Sequence, residues 1–198
     1  MSDERPPAID EIVGLLRRHA PDVVETFRQT YPEHGDLFAA GVWAGETAAQ
    51  KRIRAEVALA GLNRAIDVCA AWLPKLRQRL QRARQWQFAG QLAAILGGAS
   101  IFGTAQLATP VGSYIAASVT LAGSLASAYA HHLQTALQGR AGGVFDSYRL
   151  FVESELEARQ IKDELVQLIQ ERLINDAAKL VRKANAVCFR INKEEAKI

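Results

Sequence analysis

The sequence predicts an all-α protein: a two-helix transmembrane hairpin flanked by long amphipathic cytosolic helices that form a bundle or coiled coil. Three observations carry this. Residues 85–139 contain no Asp, Glu, Lys or Arg, whereas the chain on either side is densely charged. The charged regions repeat apolar residues with the helical period, and no stretch alternates with the period of a strand. Within the charge-free segment, two apolar runs each approach the ~20 residues that a helix needs to cross a bilayer.

Gly and Pro divide the chain into four parts. Residues 1–45 read as a small helical N-terminal cap: Pro6-Pro7 opens a helix over about residues 8–20 and Pro21 opens a second, with Asp22 and Glu25 near its positive end. Tyr31-Pro32-Glu33-His34-Gly35-Asp36 is a turn cluster, and Gly41 and Gly45 mark a boundary around Trp43. Residues 46–84 form an amphipathic and then basic cytosolic helix. Ala55, Leu59, Leu62, Ile66, Cys69 and Leu73 make one stripe, and Pro74 is expected to kink or restart the helix.

Residues 85–139 are the hairpin, punctuated by Thr109-Pro110. Gly90, Ala94 and Gly98 recur at steps of four, with Ala99 and Gly103 on a neighbouring line. Gly112, Ala116, Thr120, Ser124 and Ala128 do the same in the second run. Small residues at this spacing let helix backbones approach closely, which drives helix association in lipid. The first run holds seven Leu, Ile, Phe or Val residues and the second five. At about −0.5 kcal/mol each, insertion is favoured by only ~2 to 4 kcal/mol per helix, before Gly, Ser and Gln are counted against it. Each helix is therefore marginal alone. The composition fits a hairpin stable in lipid when paired or oligomerised, with an Ala-rich hairpin buried within a soluble bundle as the lesser alternative.

Residues 140–198 read as one long cytosolic helix or two nearly collinear ones, because nothing after Gly142-Gly143 breaks the pattern. Leu165, Ile169, Leu173 and Leu180 lead its apolar stripe, which continues to Ile191 and is expected to form an oligomer seam.

Charge orients the hairpin. Lys75, Arg77, Arg79, Arg82 and Arg84 precede it with no acid between residues 68 and 84, and Arg140 and Arg149 follow it. The positive-inside rule puts both termini in the cytoplasm. These five cations, with Trp86, are expected to contact lipid headgroups and set the topology. The net charge of +3 is mild, so nucleic acid is not an expected partner. The expected partners are membrane lipid, further copies of the chain and a signalling or regulatory protein.

Catalysis is not expected. Gly97-Gly98-Ala99-Ser100-Ile101-Phe102-Gly103-Thr104 has the glycines of a phosphate loop but no Lys and no preceding strand. His131-His132 has no Cys or acid near it in sequence, and His34 lies in an ordinary turn, so neither a metal nor another cofactor is expected. Cys69 and Cys188 sit in apolar helical stripes as small hydrophobes, and the count excludes a disulfide framework. The acidic start, MSDERPPAIDEIVG, has no apolar core of a signal peptide, so any membrane entry is expected to be internal.

The layout over about residues 62–173 resembles the SLATT-type two-transmembrane effectors of bacterial defence and conflict systems. Arg64 and the basic run to Arg84, Trp86, the paired apolar runs, Ala128 to His132, and Tyr148-Arg149-Leu150 carry the resemblance. It implies an oligomeric effector that forms a pore in the bacterial inner membrane or disrupts it, in anti-phage defence, with a cytosolic part that receives a signal. Residues 1–45 fall outside it. A non-conducting membrane-anchored scaffold and a soluble all-helical interaction protein remain open beside it.

Overall fold

A computed structural model describes residues 8–38, 47–106, 110–135, 143–171, 173 and 176–198. The first helix, α1 (Asp10–His19), buries Ile12, Val13, Leu15 and Leu16 on one face. Its acids Asp10 and Glu11 occupy the first turn and Arg17, Arg18 and His19 the last, so both ends suit the helix dipole. Pro21 starts α2 (Pro21–Thr30) in its first turn, where the missing N–H would be unpaired in any residue. The turn cluster becomes 3-10 turns over Pro32–Phe38. The boundary expected around Gly41, Trp43 and Gly45 lies outside the described residues.

Helix α3 (Ala48–Gln106) opens on a capping box. Thr47 Oγ1 accepts from the Gln50 N–H at 3.3 Å, and Gln50 Oε1 accepts from the Thr47 N–H at 3.0 Å. The helix runs on through Pro74 without ending. Proline removes the hydrogen bond to the carbonyl of Ala70, but Ala70 and Pro74 both lie on the exposed side, where water can take that carbonyl. Helix α4 (Pro110–Thr135) again starts on a proline, and α5 (Val144–Gln170) and α6 (Ala177–Glu195) complete the chain. No strand occurs among the described residues.

The C-terminal region, expected as one long helix or a helix pair, forms two helices. Helix α5 ends at Gln170, and α6 returns along it. Arg190 pairs with Glu157, residues equally far from the two facing helix ends, which fixes an antiparallel pair. The return buries Leu180, Val181, Ala184, Val187, Cys188 and Ile191.

The chain divides into two compact units: Met1–Leu73 with Leu150–Ile198, and Pro74–Arg149. The first is a helical bundle. Leu62, Val57, Phe151, Leu165, Val187 and Ile191 are fully buried there beside Leu15 and Leu16 of α1. The ring of Trp72 stacks near that of Phe151, with centroids 6.5 Å apart. At Gly61 the approach of α1 is so close that a Cβ would lie 2.4 Å from Ile12 Cγ2.

Helix α6 also supplies the cap that α1 lacks. Asn185 Oδ1 accepts from the N–H groups of Glu11 and Ile12 at 3.1 and 3.3 Å. Asn192 Nδ2 donates to the Glu11 carbonyl and to its carboxylate, each at 3.1 Å. The end of α6 is held by Glu195, whose carboxylate meets His19 Nε2 at 2.8 Å, Arg18 at 3.3 Å and Trp72 Nε1 at 3.2 Å. Burial pushes the Glu195 carboxyl up, but hydrogen bonds from His19, Trp72 and Arg18 more than offset it and hold it below its usual value.

The second unit pairs the later part of α3 with α4 and the first turns of α5. Leu76, Leu80, Ala83, Gln87 and Gly90 form its inner line on α3, at steps of four and three. Among the described residues no helix is long and apolar enough to cross a membrane. The expected pair of membrane-crossing helices is corrected to that extent. Both runs are helical, but Gly, Ala, Ser and Gln dilute their apolar content.

Candidate functional site, a hairpin with its large residues outside

Gly90 on α3 and Gly123 on α4 bring two backbones into direct contact. A Cβ on Gly90 would lie 2.7 Å from both the Gly123 carbonyl oxygen and the Ser127 nitrogen. A Cβ on Gly123 would lie 2.7 Å from the Ala94 nitrogen and the Gly90 oxygen, and 3.0 Å from Ala93 Cβ. Only glycine fits at either place without moving a backbone.

With glycines inside, the large residues turn outward. Phe88 is 68% exposed, Ile95 66%, Leu121 63% and Leu125 62%, and Trp86, Leu92, Leu96, Tyr114, Val119 and Tyr129 are exposed with them. A water-facing helix pair has no need of so many exposed large apolar residues, which mark an interaction surface where they cluster. The outward hydroxyls do not depend on water. Ser118 Oγ donates to the Tyr114 carbonyl at 2.8 Å and Ser124 Oγ to the Thr120 carbonyl at 2.9 Å.

Gly90 is buried and Ala94 half-buried at the α3–α4 contact, Thr120 is half-buried, and Ser124 is exposed. Gly98 and Gly103 lie on α3 and Gly112 and Ala116 on α4, with their surroundings outside what the structure describes. The line on α4 that meets α3 is Gly123 and Ser127, one residue from the line expected through Thr120 and Ser124. Apart from Gly112, Gly123 is the only glycine in α4, and a glycine inside a helix is itself a signal of close backbone approach.

Lys75, Arg77, Arg79, Arg82, Arg84 and Trp86 are all exposed, while Leu76 and Ala83 on the same turns are buried. The stripe expected as an oligomer seam is partly buried within one chain. Leu165 and Leu180 are buried in the bundle, Ile169 is half-buried, and Leu173 is exposed between α5 and α6. Leu165 and Leu180 are thus already covered within one chain.

Both thiols are free and buried. Burial pushes Cys69 and Cys188 up to about 12, which keeps them protonated and unreactive. No group of three His, Cys, Asp or Glu placed to hold a metal occurs among the described residues. Comparison with known protein families, with characterised proteins and with solved structures finds no match to the chain.

Proposed function

We propose that this is a helical assembly protein that associates with membranes through its hairpin, while the bundle holds the two chain ends and meets partners. The observation that carries this is the placement of the described side chains of the hairpin. Glycines meet inside at Gly90 and Gly123, and Phe88, Ile95, Leu121 and Leu125 face outward with no charge among them. Helices in lipid associate through small residues, since lipid already satisfies the large apolar ones. The five exposed cations before the hairpin suit an anionic headgroup layer and support an orientation with both chain ends on the cytoplasmic side of a bacterial inner membrane. The hairpin enters lipid as a pair or a larger assembly, because each run alone is marginal. Pore formation of the kind implied by the SLATT resemblance is the furthest extension of this reading.

A second reading is favoured by one observation: no described helix is long and apolar enough to cross a membrane. In it the outward face of the hairpin binds further copies of itself away from lipid.

The test is fractionation of cells making the full chain, followed by flotation of purified protein with neutral and anionic vesicles. Membrane association requires recovery in the membrane fraction, release only by detergent, and flotation with vesicles. Quantitative recovery as large homo-oligomers in detergent-free buffer, with no flotation, overturns it and supports the second reading. Dye release from the same vesicles then separates a conducting assembly from an anchor.

A further inference from the structure

Beside the hairpin, within the second unit, α3 and the first turns of α5 enclose an open groove of about 580 Å³. Its lining is Arg77, Leu80, Gln81, Arg84, Gln87, Phe145 and Tyr148. That volume lies within the usual range of small-ligand sites. Arg77 and Arg84 stand seven residues apart on α3, so both guanidinium groups reach the same side two turns apart, with Gln81 between them. Phe145 and Tyr148 stand three apart on α5 and face them. Phe145 is 58% exposed and offers an apolar surface to the groove.

The lining holds two cations and no acid. Among the described residues neither Arg77 nor Arg84 has an ion-pair partner. The nearest acid in sequence, Asp146, is engaged elsewhere, since its Oδ2 accepts from the Gly143 N–H at 3.1 Å and caps α5. Two planar guanidinium forks beside amide and phenol groups suit the oxygens of a phosphate, which Arg binds bidentately. Leu80 and Phe145 suit an apolar group joined to it.

We propose that this groove binds the phosphodiester headgroup of an anionic phospholipid, with Arg77 and Arg84 on the phosphate and Phe145 against the glycerol and the first acyl carbons. Within the proposed membrane association, this is what makes that association selective for anionic lipid. The chemistry is shared with free phosphate, so the experiment separates the two sources.

Full-length protein in a mild nonionic detergent is titrated with short-chain phosphatidylglycerol, short-chain phosphatidylcholine, or inorganic phosphate, with binding read by thermal shift. The comparison is between Arg77→Gln/Arg84→Gln and Lys179→Gln/Lys183→Gln. The second pair removes the same charge from exposed positions of α6, outside the groove. Phosphatidylglycerol should bind and phosphatidylcholine should not. The groove pair should weaken phosphatidylglycerol binding about tenfold or more, and the control pair about twofold or less. Equal losses in both pairs would overturn a built site in favour of diffuse attraction. Inorganic phosphate binding as tightly as phosphatidylglycerol would overturn the lipid as occupant. No vesicle insertion is needed, so flotation can fail while the groove binds, and the groove can fail while flotation succeeds.

Discussion

The bundle and the hairpin are built from helices packed in opposite senses. In the bundle, Leu62, Phe151, Leu165 and Ile191 fill the interior and charges cover the outside. In the hairpin, glycine and serine meet at the contact and Phe88, Ile95 and Leu125 are outside. Removal of large apolar surface from water is what stabilises the first. That force is small where Gly90 meets Gly123, and backbone dispersion contact takes its place. Substitutions at corresponding places in the two regions should therefore have opposite effects.

The largest effect is expected from Leu165→Ala. Leu165 is fully buried in the bundle, so truncation removes apolar contact and leaves a cavity. A loss of about 2–5 kcal/mol is expected by chemical denaturation of the full chain followed by helix content. A loss under about 1 kcal/mol, outside the range for such truncations, would mean that Leu165 is not packed in the core of one chain, and would return it to an interface between copies.

Much of the bundle is legible in the sequence, and the missing part has identifiable causes. Pro21 and Pro110 mark helix starts because their missing N–H suits only the first turn. The stripe from Ala55 to Cys69 places α3 in the core, where Ala55, Leu62 and Cys69 are fully buried. Thr47 and Gln50 are a readable capping box that places the start of α3 more closely than Gly45 does. The reversal between α5 and α6 is not legible, because no Gly or Pro lies between residues 144 and 190. The same stripe would serve a straight seam between copies or a folded pair within one chain. In the hairpin, Ala, Gly and Ser are so frequent that several lines at steps of four look alike. Only the contact itself selects Gly123 and Ser127 over Thr120 and Ser124.

Next in size is Glu195→Gln, which tests how α6 is held to α1. The substitution removes the charged acceptor shared by His19, Arg18 and Trp72, at a cost of about 1.5–3 kcal/mol at neutral pH. The folded carboxyl is held below its ordinary 4.5. Its contribution is therefore complete above that value and is lost as pH falls through the lower, folded value. The stability gap between wild type and Glu195→Gln should be constant near neutrality and close in acid. A gap that stays constant down to strongly acid pH would show that charge on Glu195 contributes nothing.

Gly90→Leu sharpens the comparison from the hairpin side. The added side chain meets the backbone of Gly123 and Ser127, and overpacking of this kind costs about 1–3 kcal/mol. In the hairpin that cost should appear as loss of assembly, with the first unit unaffected because it contains neither residue. Cross-linking in detergent should show smaller particles, while the melting of the bundle stays that of wild type. Gly123→Leu should act in the same way. If both variants assemble like wild type, close approach at this contact is not what holds the hairpin.

The smallest effect on stability, and the most direct contrast with Leu165, is expected from Leu125→Ala. The two residues are chemically identical, and a rule based on residue type alone would assign them the same cost. Leu125 is 62% exposed on the outer face of α4, so its truncation leaves no cavity in the chain. The change in unfolding free energy should stay within about 0.5 kcal/mol. What Leu125 contributes should appear only when that face meets lipid or another copy. Leu125→Ala combined with Leu121→Ala should reduce vesicle flotation, or oligomer size if the hairpin associates with copies, while denaturation of the monomer is unchanged. A cost near that of Leu165→Ala in the isolated chain would place Leu125 in a core. The hairpin would then be packed like the bundle, with large residues inside, and its outward face would have no claim on lipid.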